Sequence, residues 1–228
     1  MEYIWEGLVR AINLIISLNP EVREAVLVSL KVSGLAVIFA SLVGIPLGLL
    51  VGTRRFFGRQ LVVTLFNTCM GLPSVGVGLL VYAFVSRQGP LGGLNLLFTV
   101  PAMVIGEFLL VTPVVAALTL SAVAGADARI VADARALGAS PFQASLMLLK
   151  EVRFTLMAAV IAAFGRAISE VGAAMILGGN VKGLTRTMTT AIALETGKGE
   201  FGLALALAVI LLTVALGVNI MFYVIQKR

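Results

Sequence analysis

The sequence predicts an all-α, polytopic membrane protein, and three observations predict it. Of its 228 residues, 60% are hydrophobic and only 12% are charged, and the mean hydropathy is +1.08. A soluble domain of that size has too little interior to hide so much apolar surface. Apolar runs reach the length of about 20 residues that a helix needs to cross a bilayer, and Leu61 to Ser86 carries no charge at all. Most charged residues fall in short segments between such runs.

The elements follow in order. Residues 3–18 form an amphipathic helix: Glu2, Glu6, Arg10, Asn13 and Ser17 make one stripe, and Ile4, Trp5, Leu8, Ile12, Ile15 and Ile16 cover most of the rest. It is short for a span, so residues 1–19 are expected to lie at the interface, with a half-inserted segment as the alternative. The acidic start lacks the basic region of a cleaved signal peptide, so the first true span is expected to direct insertion. Asn19 can cap a new helix, Pro20 suits its first turn, and Glu21 and Glu24 suit its positive end. Residues 20–228 then form one transmembrane domain. Its first span covers residues 26–52, with Lys31 free to snorkel. Gly44, Gly48 and Gly52 recur every four residues, a spacing that admits a close helix neighbour. The second span covers residues 61–85. Gly71-Leu72-Pro73-Ser74 and the glycines after it predict a kink, which is either ordinary packing or a break lining a wet cavity. The third lies within 94–120, interrupted by Pro101 and Pro113, with Glu107 inside. The fourth covers 155–177 and the fifth 201–225. Residues 178–200 are expected to be a loop.

About five spans place the chain ends on opposite faces. One face then holds nine basic and three acidic residues, among them Arg54, Arg55, Arg59 and the 121–153 segment; the other holds seven and six. That bias puts 121–153 and the C-terminus in the cytoplasm and the N-terminus outside. It also accounts for the net charge of +6 without nucleic acid. With Cys69 the single cysteine and no histidine, an intrachain disulfide and Cys/His metal sites are excluded.

Residues 121–153 are the one extended polar stretch. Arg129 and Asp133 are spaced to pair on a helix face. Gly138 is placed to end that helix in a left-handed conformation. Ser140-Pro141-Phe142-Gln143 reads as the N-cap, first turn and capping box of a second helix. A capped helical hairpin among otherwise tight loops suggests a docking element.

The segment Ala132-Asp133-Ala134-Arg135-Ala136-Leu137-Gly138-Ala139-Ser140-Pro141 resembles the EAA signature of ABC importer permeases. That signature runs Glu-Ala-Ala, three residues, Gly, nine residues, then Ile-x-Leu-Pro. Ala132, Asp133 and Ala134 fall on the triplet, Gly138 on the glycine and Leu148 on the isoleucine. The acidic residue is shifted by one, and Lys150-Glu151 replace Leu-Pro. The resemblance implies a type I importer permease with a cytoplasmic coupling hairpin. Ala132, Asp133, Ala134, Gly138, Ala139, Ser140 and Pro141 would seat on an ATPase. It further implies a homodimer, two ABC ATPase subunits and an extracytoplasmic binding protein, in the inner membrane of a prokaryote. The chain lacks a Gly-x-x-x-x-Gly-Lys-Ser/Thr loop, so ATP is expected on the partner and no cofactor on this chain. Residues 71–78 and Arg166-Ala167-Ile168-Ser169-Glu170-Val171-Gly172-Ala173 resemble segments of oxyanion permeases. Residues 185–196 look most like tungstate permeases, with molybdate and sulfate permeases as the alternatives.

Arg166 and Glu170 stand four apart within the fourth span. An ionised residue at mid-membrane costs about 2.5–3.5 kcal/mol on insertion scales, so the two are expected to pair. They serve either to fix helix packing or to border the path of an anion. Glu107 is either a second partner for Arg166 or a protonated acid. Asn67, Pro73, Ser74, Thr112 and Ser169 complete the candidate pathway or gate, because a path needs hydroxyls and backbone donors more than formal charges. A secondary transporter or channel would predict an internal repeat or more intramembrane ionisable groups. A membrane enzyme would need a nucleophile–base or metal constellation. None of these features is present in the sequence.

Overall fold

Helix starts and stops follow local chemistry. In the computed structural model, which describes residues 2–17, 19–127 and 129–226, all regular structure is helical. α1 (Glu2–Ile16) is followed by α2 (Pro20–Thr53). The Asn19 side chain accepts the N–H of Glu21, and Pro20 opens α2 as expected. α3 (Arg59–Met70) and α4 (Ser74–Val85) come next, then a 3-10 turn at Gly92–Leu94 and α5 (Val100–Ala124). α6 (Arg129–Ala136) and α7 (Pro141–Glu151) form the hairpin. α8 (Arg153–Ile168), α9 (Gly172–Gly178), α10 (Met188–Gly197) and α11 (Phe201–Gln226) complete the chain. Lys227 and Arg228, counted above with the basic face, lie outside the described residues, as do the side chains of Glu2, Ile4, Arg10 and Ile15 on α1.

α2, α5 and α11 are each long and apolar enough to cross a membrane alone. The other two expected spans are broken. α3 and α4 qualify only together and meet at 100°, and α8 and α9 meet at 58°. The kink expected within 61–85 is therefore a sharp break at Gly71-Leu72-Pro73. The span expected over 155–177 ends at Ile168 and restarts at Gly172. Pro101 does not interrupt the third span; it sits in the first turn of α5, where its missing N–H has no helical partner to lose. Pro113 lies inside α5, which continues through it because packed neighbours hold the helix on both sides of the missing bond. The expected loop 178–200 contains α10.

α2 and α5 form the most extensive helix pair among the described residues. Gly44, Gly48 and Gly52 face Val115, Ala116, Thr119 and Val123 of α5, so the four-residue glycine spacing serves this pair. In lipid, such contacts rest on close van der Waals packing of small residues. Val32, Ala36, Val77, Val81, Met103, Ala173 and Leu177 join α2, α4, α5 and α9 into one core. Ala163 and Ala167 bring α8 onto the α2–α5 pair. α1 packs on α11 through Gly7, while Trp5, Ile12 and Ile16 face outward.

Candidate functional site

Two places concentrate the candidate residues. The first is the tip of the α6–α7 hairpin. Gly138 adopts φ +90°, the left-handed conformation expected of it. Around it, the N–H groups of Leu137, Gly138 and Ala139 donate to the carbonyls of Asp133, Arg135 and Ala134, each at 3.0 Å. Ser140 Oγ accepts the Gln143 N–H at 3.3 Å, and the Ser140 N–H donates to Gln143 Oε1 at 2.8 Å. The expected capping box is present. Ala132, Asp133, Gly138, Ser140 and Pro141 are exposed and Ala139 is half-buried, whereas Ala134 is buried against the hairpin itself. Its carbonyl accepts the Ala139 N–H across the bend, and it lines the concavity beside the tip. Arg129 and Asp133 form no ion pair, and both side chains are exposed; separately, the Arg129 backbone N–H donates to Asp127 Oδ1 at 2.9 Å. That backbone bond caps the start of α6.

The sequence reading overlooked Leu137 and Phe142. They flank the bend at 88% and 77% exposure. A concavity of about 450 Å³ runs along the same face, lined in part by Leu137, Gly138, Ala139 and Leu146. Two bare apolar side chains at a polar tip were the available signal. Below them, Val123, Leu148, Val152 and Leu156 pack the hairpin base onto α5 and α8. The tip is thus a capped bend carrying two exposed apolar side chains, with its base packed on α5 and α8.

The second place is where the two helix breaks meet. A Cβ at Gly172 would lie 2.7 Å from Ser74 Oγ, so the start of α9 rests on the start of α4. Pro73 supplies no side-chain cap to α4. Its first N–H groups, from Ser74 on, have no carbonyl of their own helix to bond. Glu170 lies in the second break, 3% exposed. One of its oxygens, Oε2, binds Arg166 Nη1 at 2.9 Å; the other, Oε1, accepts the Ala173 N–H at 3.1 Å and so caps α9. The expected pair exists, but Glu170 stands just beyond α8 and joins two helices. Its carbonyl accepts the Thr189 hydroxyl at 2.6 Å. Thr187 and Thr190 form a capping box at the start of α10, and Asn180 Oδ1 accepts the Thr190 hydroxyl at 3.0 Å. These buried threonines brace the break. The sequence reading noted their segment only for its resemblance, because a Thr-rich loop shows no periodicity that would predict burial.

Arg166 is 35% exposed at its side chain, and Asn67, Pro73 and Ser169 are exposed. Ser169 donates its hydroxyl back to Gly165 O at 2.8 Å, and Thr112 donates to Phe108 O at 2.6 Å, so both protons are already engaged. Glu107 is buried beside Ser33, within electrostatic reach of Arg166 and Glu170, and its Oε2 has no hydrogen-bond partner. It forms no ion pair with Arg166, whose guanidinium binds Glu170.

Comparison with known proteins follows the same outline. Residues 44–228 match the family model described as the binding-protein-dependent transport system inner membrane component. The tungstate uptake system permease protein TupB of Peptoclostridium acidaminophilum is 40% identical over 228 residues, covering 100% of both chains. The protein of that name from Campylobacter jejuni is 37% identical over 227 residues, covering 100% of this chain and 95% of that one. A bacterial alginate ABC transporter, solved in complex with an alginate pentasaccharide-bound periplasmic protein, superposes with a TM-score of 0.75. It does so at 19% identity, over 92% of this chain and 80% of that one. At that identity the likeness speaks for the fold alone.

Proposed function

The chain belongs to the family of binding-protein-dependent transport system inner membrane components, and on that premise we propose that it is the permease subunit of an ATP-driven tungstate importer. The carrying observation is the full-length identity of 40% to a tungstate uptake permease. In this reading the chain works as a homodimer with two separate ATPase subunits and an external oxyanion-binding protein. The basic loops and the hairpin are cytoplasmic, as is the C-terminus; the N-terminus is outside and α1 lies at the interface.

The hairpin geometry supports coupling. Leu137 and Phe142 would seat in an apolar groove of the ATPase, and the capped bend would pass its movement to α5 and α8 as a rigid body. ATP binding and hydrolysis on the partner would then switch the helices between two packed arrangements. The meeting point of the breaks supports an anion path. The uncapped start of α4 presents backbone donors and a positive dipole end to an anion, whereas the start of α9 is already capped by Glu170. The Arg166 guanidinium adds attraction, and Glu170, bound to it, keeps the ion from being trapped. Asn67, Pro73, Ser74, Thr112 and Ser169 would shape the gate around them.

Two measurements test this. Tungsten, molybdenum and sulfur uptake at low external oxyanion is measured by elemental mass spectrometry, with and without this chain. The expected result is loss of tungsten uptake alone. Loss of molybdenum or sulfur uptake instead would move the substrate, and no change would remove the oxyanion reading. The second tests the hairpin. Gly138 has open space around it, so Gly138→Val strains only the backbone, by about 1–2 kcal/mol for a left-handed L-residue. The strain is relieved by reorienting the tip. Membrane insertion should be normal while recovery of co-purified ATPase falls about tenfold. Unchanged co-purification and transport would refute the docking role of the bend.

A further inference from the structure

An apolar groove of about 670 Å³ runs between α2 and α5 on the outer surface of the chain. Lys31, Leu35, Phe39 and Leu42 lie at helical spacing along one wall, and Val104, Ile105 and Phe108 form the other. Among the lining residues Lys31 alone carries a charge. It is exposed and makes no ion pair with any described residue.

The depth of Lys31 follows from helix length. Thr53 ends α2 beside Arg54 and Arg55, at the basic face of the protein. Counted back from Thr53, about 20 residues cross a hydrocarbon layer of about 30 Å. That reaches the neighbourhood of Ser33, within a turn of Lys31. The ammonium therefore sits at headgroup level on the face opposite the basic loops. From Lys31 to Leu42 the groove descends about 16 Å, close to half the hydrocarbon thickness. It has the depth of one leaflet.

We propose that this groove holds one acyl chain of an anionic phospholipid whose phosphate is bound by Lys31. The apolar walls accept the chain, and the single cation meets the headgroup at its own depth. A protein helix in the same groove would have to bring an acid to Lys31; an anionic lipid brings its charge there already. The proposal is independent of the transported substrate and rests only on α2 and α5 crossing the membrane.

The test uses the full chain purified in detergent with the subunits that accompany it. It is exposed to equimolar phosphatidylglycerol and phosphatidylcholine of matched acyl chains, and retained lipid is counted by native mass spectrometry. Phosphatidylglycerol should be retained about fivefold over phosphatidylcholine, the preference of one lysine at a membrane surface. Lys31→Gln should bring the two to parity. Leu42→Trp, at a residue that is 66% exposed and so tolerant of size, should lose both lipids. Parity in the unmodified protein, a preference that survives Lys31→Gln, or retention unaffected by Leu42→Trp would each overturn the proposal. So would a disulfide-linked dimer of Leu42→Cys in a Cys69→Ser background, which would assign the groove to a second copy.

Discussion

Gly48→Leu is expected to remove most of the folded protein from the membrane, while Gly34→Leu on the same helix leaves it in place. A Cβ at Gly48 would fall 2.7 Å from Thr119 Cβ and 3.0 Å from Leu120 N, and closer still to the carbonyl oxygen of Ala116. Two of those atoms are backbone, so no rotamer change relieves the contact. α2 and α5 must separate, and the contacts between them are lost along with the clash. Overpacking of this kind costs about 3 kcal/mol or more when the backbone must move. At Gly34 nothing lies within 4 Å of the added carbon. Yield and melting temperature in detergent check the pair of variants. A drop of at least about 5 °C is expected for Gly48→Leu alone. Equal behaviour of the two would mean that the close approach of α2 to α5 is not what holds the bundle together.

Glu170→Ala is expected to abolish transport and to destabilise the chain. One carboxylate holds Arg166 and caps α9, so its removal undoes two interactions at once. Stranding a buried charge costs about 3–5 kcal/mol. Arg166 is about a third exposed, so the lower half of that range applies after solvent screening. Loss of a cap adds about 1 kcal/mol. Glu170→Gln keeps an acceptor for the Ala173 N–H and should recover the cap but not the pair. The double variant Arg166→Met with Glu170→Gln separates packing from permeation. It removes both charges, so no unpaired charge is left buried, and the glutamine still accepts the Ala173 N–H. Regained melting temperature without regained uptake would give Arg166 a part in the anion path. Regained uptake would leave the pair a purely structural role. Wild-type stability in Glu170→Ala would contradict the bracing described at this break.

The class of the protein, the ends of most helices and the hairpin were legible in the residues themselves. Asn19-Pro20, Gly138 and Ser140-Pro141-Phe142-Gln143 act over one helical turn, so their chemistry does not depend on distant packing. The apolar runs likewise announce α2, α5 and α11 by length alone. Their partners were not legible. The glycine stripe of α2 predicted a close neighbour, yet only the tertiary structure names α5 as that neighbour. Gly71-Leu72-Pro73 predicted a bend, but its 100° and its meeting with the break at residues 169–171 depend on contacts between residues about a hundred positions apart. Glu170 read as half of an i, i+4 pair. Its second bond, and the threonines buried around it, follow from where α9 and α10 fold back. Local propensity and capping decide what each segment becomes, because they are settled among neighbours in the chain. Which surfaces meet, which polar groups are buried and where two breaks coincide are settled by packing across the whole bundle, and a one-dimensional pattern carries no such term.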